Sequence, residues 1–420
     1  MTDTSEKNYQ DEPPAKGRYP AYVVCWLLGI GCLFSWNSML TVEDYYVTIF
    51  PHYHPARVLT LVYQPFALTT IFILTFYEAR INTRLRIIFG YTLFFVCVLI
   101  IPLLDLASSG HGGIGVFIGI CLLSGGFGVA DAHVQGGMIG DLSFMQPEFV
   151  QSFSAGLAAS GVITSCLRLV TKASFSSERK GLRKGALTFF FISAAFMLLC
   201  LGLYALVFPR LELVKYYRKK AASEGSKTVN ADLAAGGIIV HENSNDMETN
   251  KALTRLSNKE LLHQNLDYAI DLLLIYVLTL SIFPGFLAED TGHHQLGTWY
   301  VVVLIAMFNC GDLIGRYIPL IKFLKLESRM GIMVFCFLRF GLIPAFYFTS
   351  KYGNEGWMLT LCIVLGLTNG YLTVCVFISA PNGYKGPEQN ALGNILVLFL
   401  LSGIFAGVTL DWLWLIGKGW

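Results

Sequence analysis

The chain has 420 residues, of which 54% are hydrophobic and only 14% are charged, and its mean hydropathy is +0.57. Soluble proteins have about 25% charged residues, so this chain lacks the polar surface to cover a globule of its size, and the composition predicts a membrane protein. The formal net charge of +2 favours neither a nucleic acid nor an acidic protein as partner. The ten cysteines lie in apolar runs without metal-ligand spacing, so we interpret them as small hydrophobic residues.

Eleven apolar stretches are long enough to cross a bilayer, which takes about 20 helical residues. The polar N-terminal tail, residues 1–20, has no signal-peptide core, so the first stretch should be retained as a span. We therefore predict an all-α polytopic membrane protein with 11 transmembrane helices near residues 21–41, 57–78, 87–106, 113–137, 148–171, 186–208, 269–288, 298–320, 330–350, 356–379 and 391–415.

A long polar segment, residues 209–268, separates the first six spans from the last five. Its charges of both signs and its few aromatic residues predict a loop that is mostly mobile. The spans then form a six-helix bundle, residues 21–208, and a five-helix bundle, residues 269–415, with a short C-terminal end at 416–420.

The distribution of Lys and Arg predicts the orientation of the spans, because cytoplasmic loops are enriched in both. The tail, the loop between spans two and three, the start of the central segment and the loop between spans eight and nine are all basic. These regions lie together if the N-terminus and the central loop are cytoplasmic, and eleven spans then place the C-terminus outside. One loop contradicts this orientation, because residues 172–184 would lie outside and contain Lys172, Arg179, Lys180, Arg183 and Lys184.

The eighth span contains Asn309, Asp312 and Arg316 at offsets of three and seven, which places them on one helical face. A charge in mid-membrane costs about 2.5 kcal/mol or more, so such residues face a bundle interior or a water-filled cavity. Asp312 and Arg316 can pair, which lowers the cost of both. The pair either ties helices together or lines a substrate path, where it would offer a hydroxyl-rich solute an acceptor and a donor.

The fourth span contains Asp131 and Gln135, four residues apart and hence on one face. The Gln135 amide has a donor and an acceptor, which suits the edge of a nucleobase, but an interhelical hydrogen bond fits equally well. Asp131 is a candidate for a proton-linked group, although a carboxylate paired with Arg168 or Arg339 would look the same in sequence.

Other spans combine polar or aromatic residues with helix breaks. The first contains Trp36 and Asn37, where the tryptophan also fits an interfacial belt. Pro284 follows Phe283 in the seventh span, and Arg339 precedes Pro344 in the ninth. Broken helices beside polar residues are typical of transporter binding sites.

No catalytic signature is present in the sequence: it has no phosphate-binding loop, no HExxH and no GxSxG. We therefore expect neither an enzyme nor a cofactor. His293 and His294 lack companion ligands, so no metal site is predicted.

Taken together, these features resemble the equilibrative nucleoside transporter family over nearly the whole chain. The resemblance rests on the six-plus-five layout and on the stretches GIGCLFSWN, DAHVQGGMIGDLS, SIFPGF, FNCGDLIGR, LRFGLIP and TNGYL. The stretches SWNSMLTVEDYY and PNGYKGPEQNALGN are most similar to the plant branch. Two departures from the family pattern are Ser35, where many members have proline, and Asp131, where many have a small residue.

The resemblance implies a major-facilitator-like fold, a monomeric transport unit in the plasma membrane, and nucleoside transport by alternating access. Gln135 would contact the nucleobase, Asp312 and Arg316 the ribose, and protons are a candidate co-substrate. Trp36 and Leu33 would wall the base pocket, with Phe283 and Asn309 close by. Asn37, Pro284, Arg339 and Pro344 would support gating or structure.

Two other function classes remain open on the sequence. A major-facilitator carrier for sugars or organic ions usually has a basic GxxxD-[RK] motif between spans two and three, where this chain reads EARINTRLR. A receptor or scaffold that moves no solute is the third class.

Overall fold

A computed structural model of the chain describes residues 17–42, 45–46, 49–50, 53, 55–174, 179–223, 256–283, 300–352, 354–411 and 413. These residues are mostly helical, and no strand occurs among them. We label the α-helices α1 (Arg18–Thr41), α2 (Pro55–Phe76), α3 (Thr83–Ala107), α4 (Ile114–Ser143), α5 (Pro147–Ser174), α6 (Arg179–Gly202), α7 (Glu212–Ser223), α8 (Asn258–Gln264), α9 (Leu266–Leu280), α10 (Tyr300–Tyr317), α11 (Arg329–Leu338), α12 (Leu342–Tyr352), α13 (Glu355–Ser379) and α14 (Gly386–Asp411).

Ten helical stretches within the described residues are long and apolar enough to cross a membrane, and the pair α8 and α9, bent by 76°, makes an eleventh if it counts as one span. The stretches agree with the predicted all-α polytopic membrane protein. The ninth span, Arg329–Tyr352, combines α11 and α12 through a 3-10 turn at Arg339–Gly341. Pro284 and the rest of the predicted seventh span beyond residue 283 lie outside the described residues.

Two predicted boundaries differ from the structure. The fourth span is predicted to end near 137, but α4 continues to Ser143, and Asp141 near its end has a buried partner. In the segment 209–268, α7 and α8 are helical and α9 already begins at Leu266. The apolar residues of α7 form one helical stripe that is buried, which explains its order. Residues 224–255 lie outside the described residues, so the mobile loop remains a prediction for them.

The spans form two halves, α1–α6 and α9–α14. We call the end of the molecule at which α1 begins the tail face, and the other end the opposite face. Because successive spans alternate in direction, the tail face contains the ends of α2, α4, α6, α10 and α13 and the starts of α3, α5, α11 and α14. The short helices α7 and α8 lie at the same face.

The basic loop that contradicts the predicted orientation is partly neutralised. Arg183 Nε donates to Asp105 Oδ2 over 2.7 Å, which joins the start of α6 to the end of α3. The side chains of Lys172 and Arg179 lie outside the described part.

The two halves meet where α5 packs against α10, and where α2 and α4 pack against α14. We call these contacts together the seam. At its tail-face end, a Cβ on Gly140 would lie 2.4 Å from Asn390 Oδ1 and from Asn394 Nδ2. A Cβ on Gly393 would lie 2.9 Å from the Cα of Gly140. Only glycine permits this approach, as is common between packed membrane helices.

Candidate functional site

The ion pair of α10 lies at the seam and is bonded to both halves. Arg316 Nε lies 3.0 Å from Asp312 Oδ2, and the residues are 5% and 6% exposed. Asn369 of α13 donates to Asp312 Oδ1 over 2.7 Å. Arg316 Nη1 donates across the seam to the carbonyl oxygen of Ser154 on α5, over 2.8 Å. The pair therefore satisfies its charges internally and uses its spare groups to contact both halves.

Two further contacts connect the same stretch of α10 to α5. Gln151 Nε2 donates to the carbonyl oxygen of Arg316 over 3.0 Å, and Asn309 Nδ2 donates to Ser165 Oγ over 3.1 Å. A Cβ on Gly161 would lie 2.7 Å from Asn309 Oδ1, so α5 and α10 are in close contact at this level. The polar face of α10 predicted from the sequence thus lies against the N-terminal half rather than against lipid.

A chain of hydrogen bonds continues from the ion pair into the C-terminal half. Thr279 Oγ1 donates to Asn369 Oδ1 over 2.8 Å, and Arg339 Nη2 donates to Thr279 Oγ1 over 2.9 Å. Arg339 Nε also donates to Thr368 Oγ1 over 2.9 Å. Arg339 occupies the 3-10 turn between α11 and α12, and Pro344 lies in the first turn of α12, where no helical bond is lost. Arg339 therefore holds α9, α11 and α13 together.

A second cluster occupies the N-terminal half. The rings of Trp36 and Tyr63 stack with centroids 4.2 Å apart and an interplanar angle of 29°. Asp131 accepts hydrogen bonds from Tyr63 and from Cys32, whose Sγ lies 3.3 Å from Oδ1. Of the partners that the sequence suggested for Asp131, Arg339 is instead bonded to α9 and α13. Trp36 and Asp131 thus belong to one buried group of α1, α2 and α4.

The remaining predicted residues occupy several places. Gln135 is buried on α4, one turn from Asp131, and Leu33 is half-buried on α1. Asn37 Nδ2 donates to Ser160 Oγ over 2.7 Å, a contact within the N-terminal half. Phe283 stacks on Phe308 of α10 with ring centroids 4.0 Å apart.

The structure therefore brings some of the predicted residues together in two groups, Asn309, Asp312 and Arg316 on α10 and Trp36 with Asp131 in the N-terminal half. Leu33, Asn37 and Phe283 lie outside these contacts. Sequence reasoning missed Asn369, Tyr63 and Ser154, which complete those groups. A signal existed for Asn369, because a transmembrane asparagine normally has a polar partner. No group of three His, Cys, Asp or Glu that could hold a metal ion occurs among the described residues, and His293 and His294 lie outside them.

Comparison with known sequences gives matches over most of the chain. A model of the nucleoside transporter family matches residues 119–416. Equilibrative nucleotide transporter 3 of Arabidopsis thaliana is 63% identical over 413 residues, which cover 98% of each chain. Equilibrative nucleotide transporter 6 of the same plant is 58% identical over 98% of each chain.

Comparison with solved structures identifies the fold. A major facilitator superfamily proton:xylose symporter bound to 6-bromo-6-deoxy-D-glucose matches with a TM-score of 0.61 and 14% identity, over 95% of this chain and 88% of that one. A bacterial homologue of the iron transporter ferroportin, in an outward-facing state, matches with a TM-score of 0.58 and 12% identity, over 91% and 90%. At these identities the likeness concerns the fold alone, and it confirms the predicted major-facilitator-like architecture.

Proposed function

This chain belongs to the nucleoside transporter family, and on that premise we propose that it carries nucleosides across a membrane by alternating access. The predicted resemblance to the plant branch is confirmed, since six Arabidopsis equilibrative nucleotide transporters are 55–63% identical to it. These relatives are named as transporters, so the chain is a membrane carrier rather than an enzyme.

The buried ion pair at the seam is the observation that carries the proposal. Arg316 donates to Ser154 of the other half, so separation of the halves along α5 and α10 breaks that bond. A ribose in the opened seam supplies hydroxyl groups that accept from Arg316 and donate to Asp312. The substrate then replaces contacts that the moving halves lose, which couples its binding to the change of state.

The nucleobase would bind beside the buried group of Trp36, Tyr63 and Asp131 in the N-terminal half. Gln135 offers one amide donor and one acceptor, which match the edge of a purine or a pyrimidine. Trp36, held by Tyr63, offers a flat apolar wall together with Leu33. Asn309 and Phe283 lie on the side of the C-terminal half, where they would complete the pocket.

Four residues are assigned to gating or structure rather than to substrate contact. Asn37 joins α1 to α5, and Arg339 joins α9, α11 and α13, so each stabilises one half as a moving unit. Pro344 accompanies the break between α11 and α12. Pro284 is assigned on its sequence position alone.

Uptake of labelled adenosine and uridine into cells that express the protein tests the proposal. We expect uptake that competing nucleosides inhibit and hexoses do not, and that is lost in Asp312→Ala and Arg316→Ala. Full uptake in both variants at normal surface abundance would contradict the site. Inhibition by hexoses alone would favour a sugar carrier. The absence of any solute flux in proteoliposomes would favour a receptor or scaffold.

Proton coupling through Asp131 is a narrower proposal. This buried carboxyl group accepts hydrogen bonds from Cys32 and Tyr63, which are both neutral donors, and such bonds leave the group able to take up a proton. Uptake should then be faster at acidic external pH, and both an uncoupler and Asp131→Asn should abolish that dependence. Wild-type rates indifferent to pH and uncoupler would indicate facilitated diffusion.

We also propose a location in the plasma membrane, with the N-terminus and the tail face cytoplasmic, the C-terminus extracellular, and a monomer as the transport unit. An epitope tag after residue 420 should be accessible to antibody on intact cells, whereas a tag before residue 1 should need permeabilisation. The reverse pattern would contradict the orientation.

A further inference from the structure

The helix α7 contains a buried arginine at the tail face. Arg218 is 1% exposed although it lies in the basic run YYRKK. Its Nη2 donates to Oδ2 of Asp141, a fully buried residue in the last turn of α4. The guanidinium carbon also lies 5.2 Å from the ring centre of Phe208. Breaking a buried ion pair is strongly destabilising, so the pair holds α7 and α4 together.

The chain between α6 and α7 fixes the position of this arginine. α6 continues into a π-helical turn, Leu203–Val207, and then into a 3-10 turn, Phe208–Arg210. Tyr204 stacks on Phe208 with ring centroids 5.5 Å apart, and Arg84 Nη2 donates to the carbonyl oxygen of Ala205 over 2.9 Å. These contacts tie the turn to α3, and π-helical turns of this kind are frequent at functional sites.

The apolar face of α7 completes the attachment. Leu213, Val214 and Tyr217 are buried. The Tyr217 ring contacts that of Phe149, at the start of α5, with centroids 6.3 Å apart. α7 also contacts α1 and reaches α14 of the other half. It therefore lies across the tail-face end of the N-terminal half, up to the seam.

Adjacent residues of α4 meet two different elements. Gly140 lies against Asn390 and Asn394 of α14, as the short Cβ distances of 2.4 Å show. Asp141, the next residue, instead accepts from Arg218 of α7. Arg86 Nη1, also from the N-terminal half, donates to Asn394 Oδ1 over 2.7 Å. A displacement of the end of α4 therefore changes the ion pair and the seam together.

We propose that Arg218 is a positioning residue for the closed tail face: by pairing with Asp141, it holds the end of α4 in contact with α14. The inference rests on the alternating access proposed above, in which this end of the seam must open in each cycle. Loss of the pair should shift the resting carrier toward the state with an open tail face.

Hydrogen–deuterium exchange of the purified full-length protein, without substrate, tests the proposal. Arg218→Met keeps the length of the side chain and removes its charge. We expect the exchange rate in peptides over residues 386–396 of α14 to rise about tenfold, the change that a 1.4 kcal/mol shift produces. Lys219→Met is the matched control, because Lys219 is the exposed neighbour on the same helix. In this variant, exchange over residues 386–396 should stay as in wild type.

Exchange in α14 separates a positioning role from a purely structural one. If Arg218→Met speeds exchange in α4 and α7 but leaves α14 unchanged, the proposal is overturned. The reciprocal variant Asp141→Asn removes the ion pair from its other side, so exchange in α14 should rise about as much as in Arg218→Met. Exchange in α14 that stays as in wild type in Asp141→Asn would overturn the role of the ion pair.

A milder variant keeps the test decisive if Arg218→Met does not accumulate. Arg218→Lys retains the charge and loses the planar fork, so exchange in α14 should rise by less than in Arg218→Met and still exceed wild type. Wild-type exchange in Arg218→Lys would overturn the proposal in that case. No substrate enters this readout, so failure of nucleoside transport would be recognised separately, in the wild-type uptake assay.

Discussion

Two buried arginine–carboxylate pairs in this protein differ in what they hold together. Asp312 and Arg316 pair within α10, and their spare groups reach Asn369 in one half and Ser154 in the other. Arg218 and Asp141 pair between α7 and the end of α4, at the tail face. The same chemistry thus serves one contact that crosses the seam and one contact that lies beside it.

The largest contrast is expected when each arginine is replaced by methionine. Arg316→Met leaves Asp312 buried and unpaired, at a cost of about 3–5 kcal/mol, and should reduce adenosine uptake more than about 100-fold. Arg218→Met should retain uptake within about tenfold of wild type, because no substrate contact is lost. Initial rates, normalised to surface abundance, measure both. Equal losses in the two variants would mean that the pairs do not differ in role.

Glycine positions beside the central pair test its close packing. A Cβ on Gly370 would lie 2.1 Å from the carbonyl oxygen of Asp312 and 2.9 Å from Arg316 Cγ. Gly370→Ala should therefore push α13 away from α10 and destabilise the protein by about 1–3 kcal/mol. Thermal unfolding followed by intrinsic fluorescence measures the effect. Gly202→Ala is the control, because its Cβ would meet nothing within 4 Å, and an equal fall in Tm would contradict the packing argument.

Two adjacent residues of α5 make hydrogen bonds in different places, one across the seam and one inside the N-terminal half. Gln151 donates to the Arg316 carbonyl across the seam, whereas Ser152 Oγ donates to the Tyr22 carbonyl, over 2.7 Å, within the N-terminal half. Gln151→Ala removes a bond worth about 1 kcal/mol and should change the ratio of the KM values for influx and efflux about fivefold. Ser152→Ala should leave that ratio unchanged. A shift of the ratio in both variants would show that it does not report on the seam.

The smallest effect is expected for an exposed ion pair at the tail face. Arg329 Nη1 lies 3.4 Å from Asp267 Oδ2, and the arginine side chain is 50% exposed. Exposed pairs contribute about 0–1 kcal/mol and are screened by salt. Arg329→Ala should leave uptake within about twofold of wild type and lower Tm only slightly. A loss of uptake comparable to that of Arg316→Met would show that this exposed pair is as important as the buried pairs.

The sequence predicts features that depend on local spacing. Apolar stretches mark the spans, and an offset of four residues places Asp312 beside Arg316, which the structure contains. It does not predict contacts between distant positions. Arg218 lies 77 positions from Asp141, inside a basic run that reads as an orientation signal, and Asn369 lies 57 positions from Asp312. Only helix packing brings these residues together.

The central segment shows where a weak signal was overlooked. Its mixed charges predicted a loop, but Leu213, Val214, Tyr217 and Ala221 follow a helical stripe, which is the buried face of α7. The stripe covers only a small part of the segment 209–268, and the composition of the whole segment predicts a loop. The extension of α4 to Ser143 is likewise not predicted by the apolar pattern, since the partner of Asp141 lies 77 positions away in the sequence.

The π-helical turn at Leu203–Val207 has a consequence for which changes in chain length this region can accept. An α-helix turns by about 100° per residue, so the deletion of one residue between Gly202 and Arg218 would rotate α7 and direct the arginine away from α4. The insertion of one residue would rotate α7 in the opposite direction and would also direct the arginine away from α4. This stretch is therefore expected to tolerate many substitutions at its exposed positions while its length stays constant.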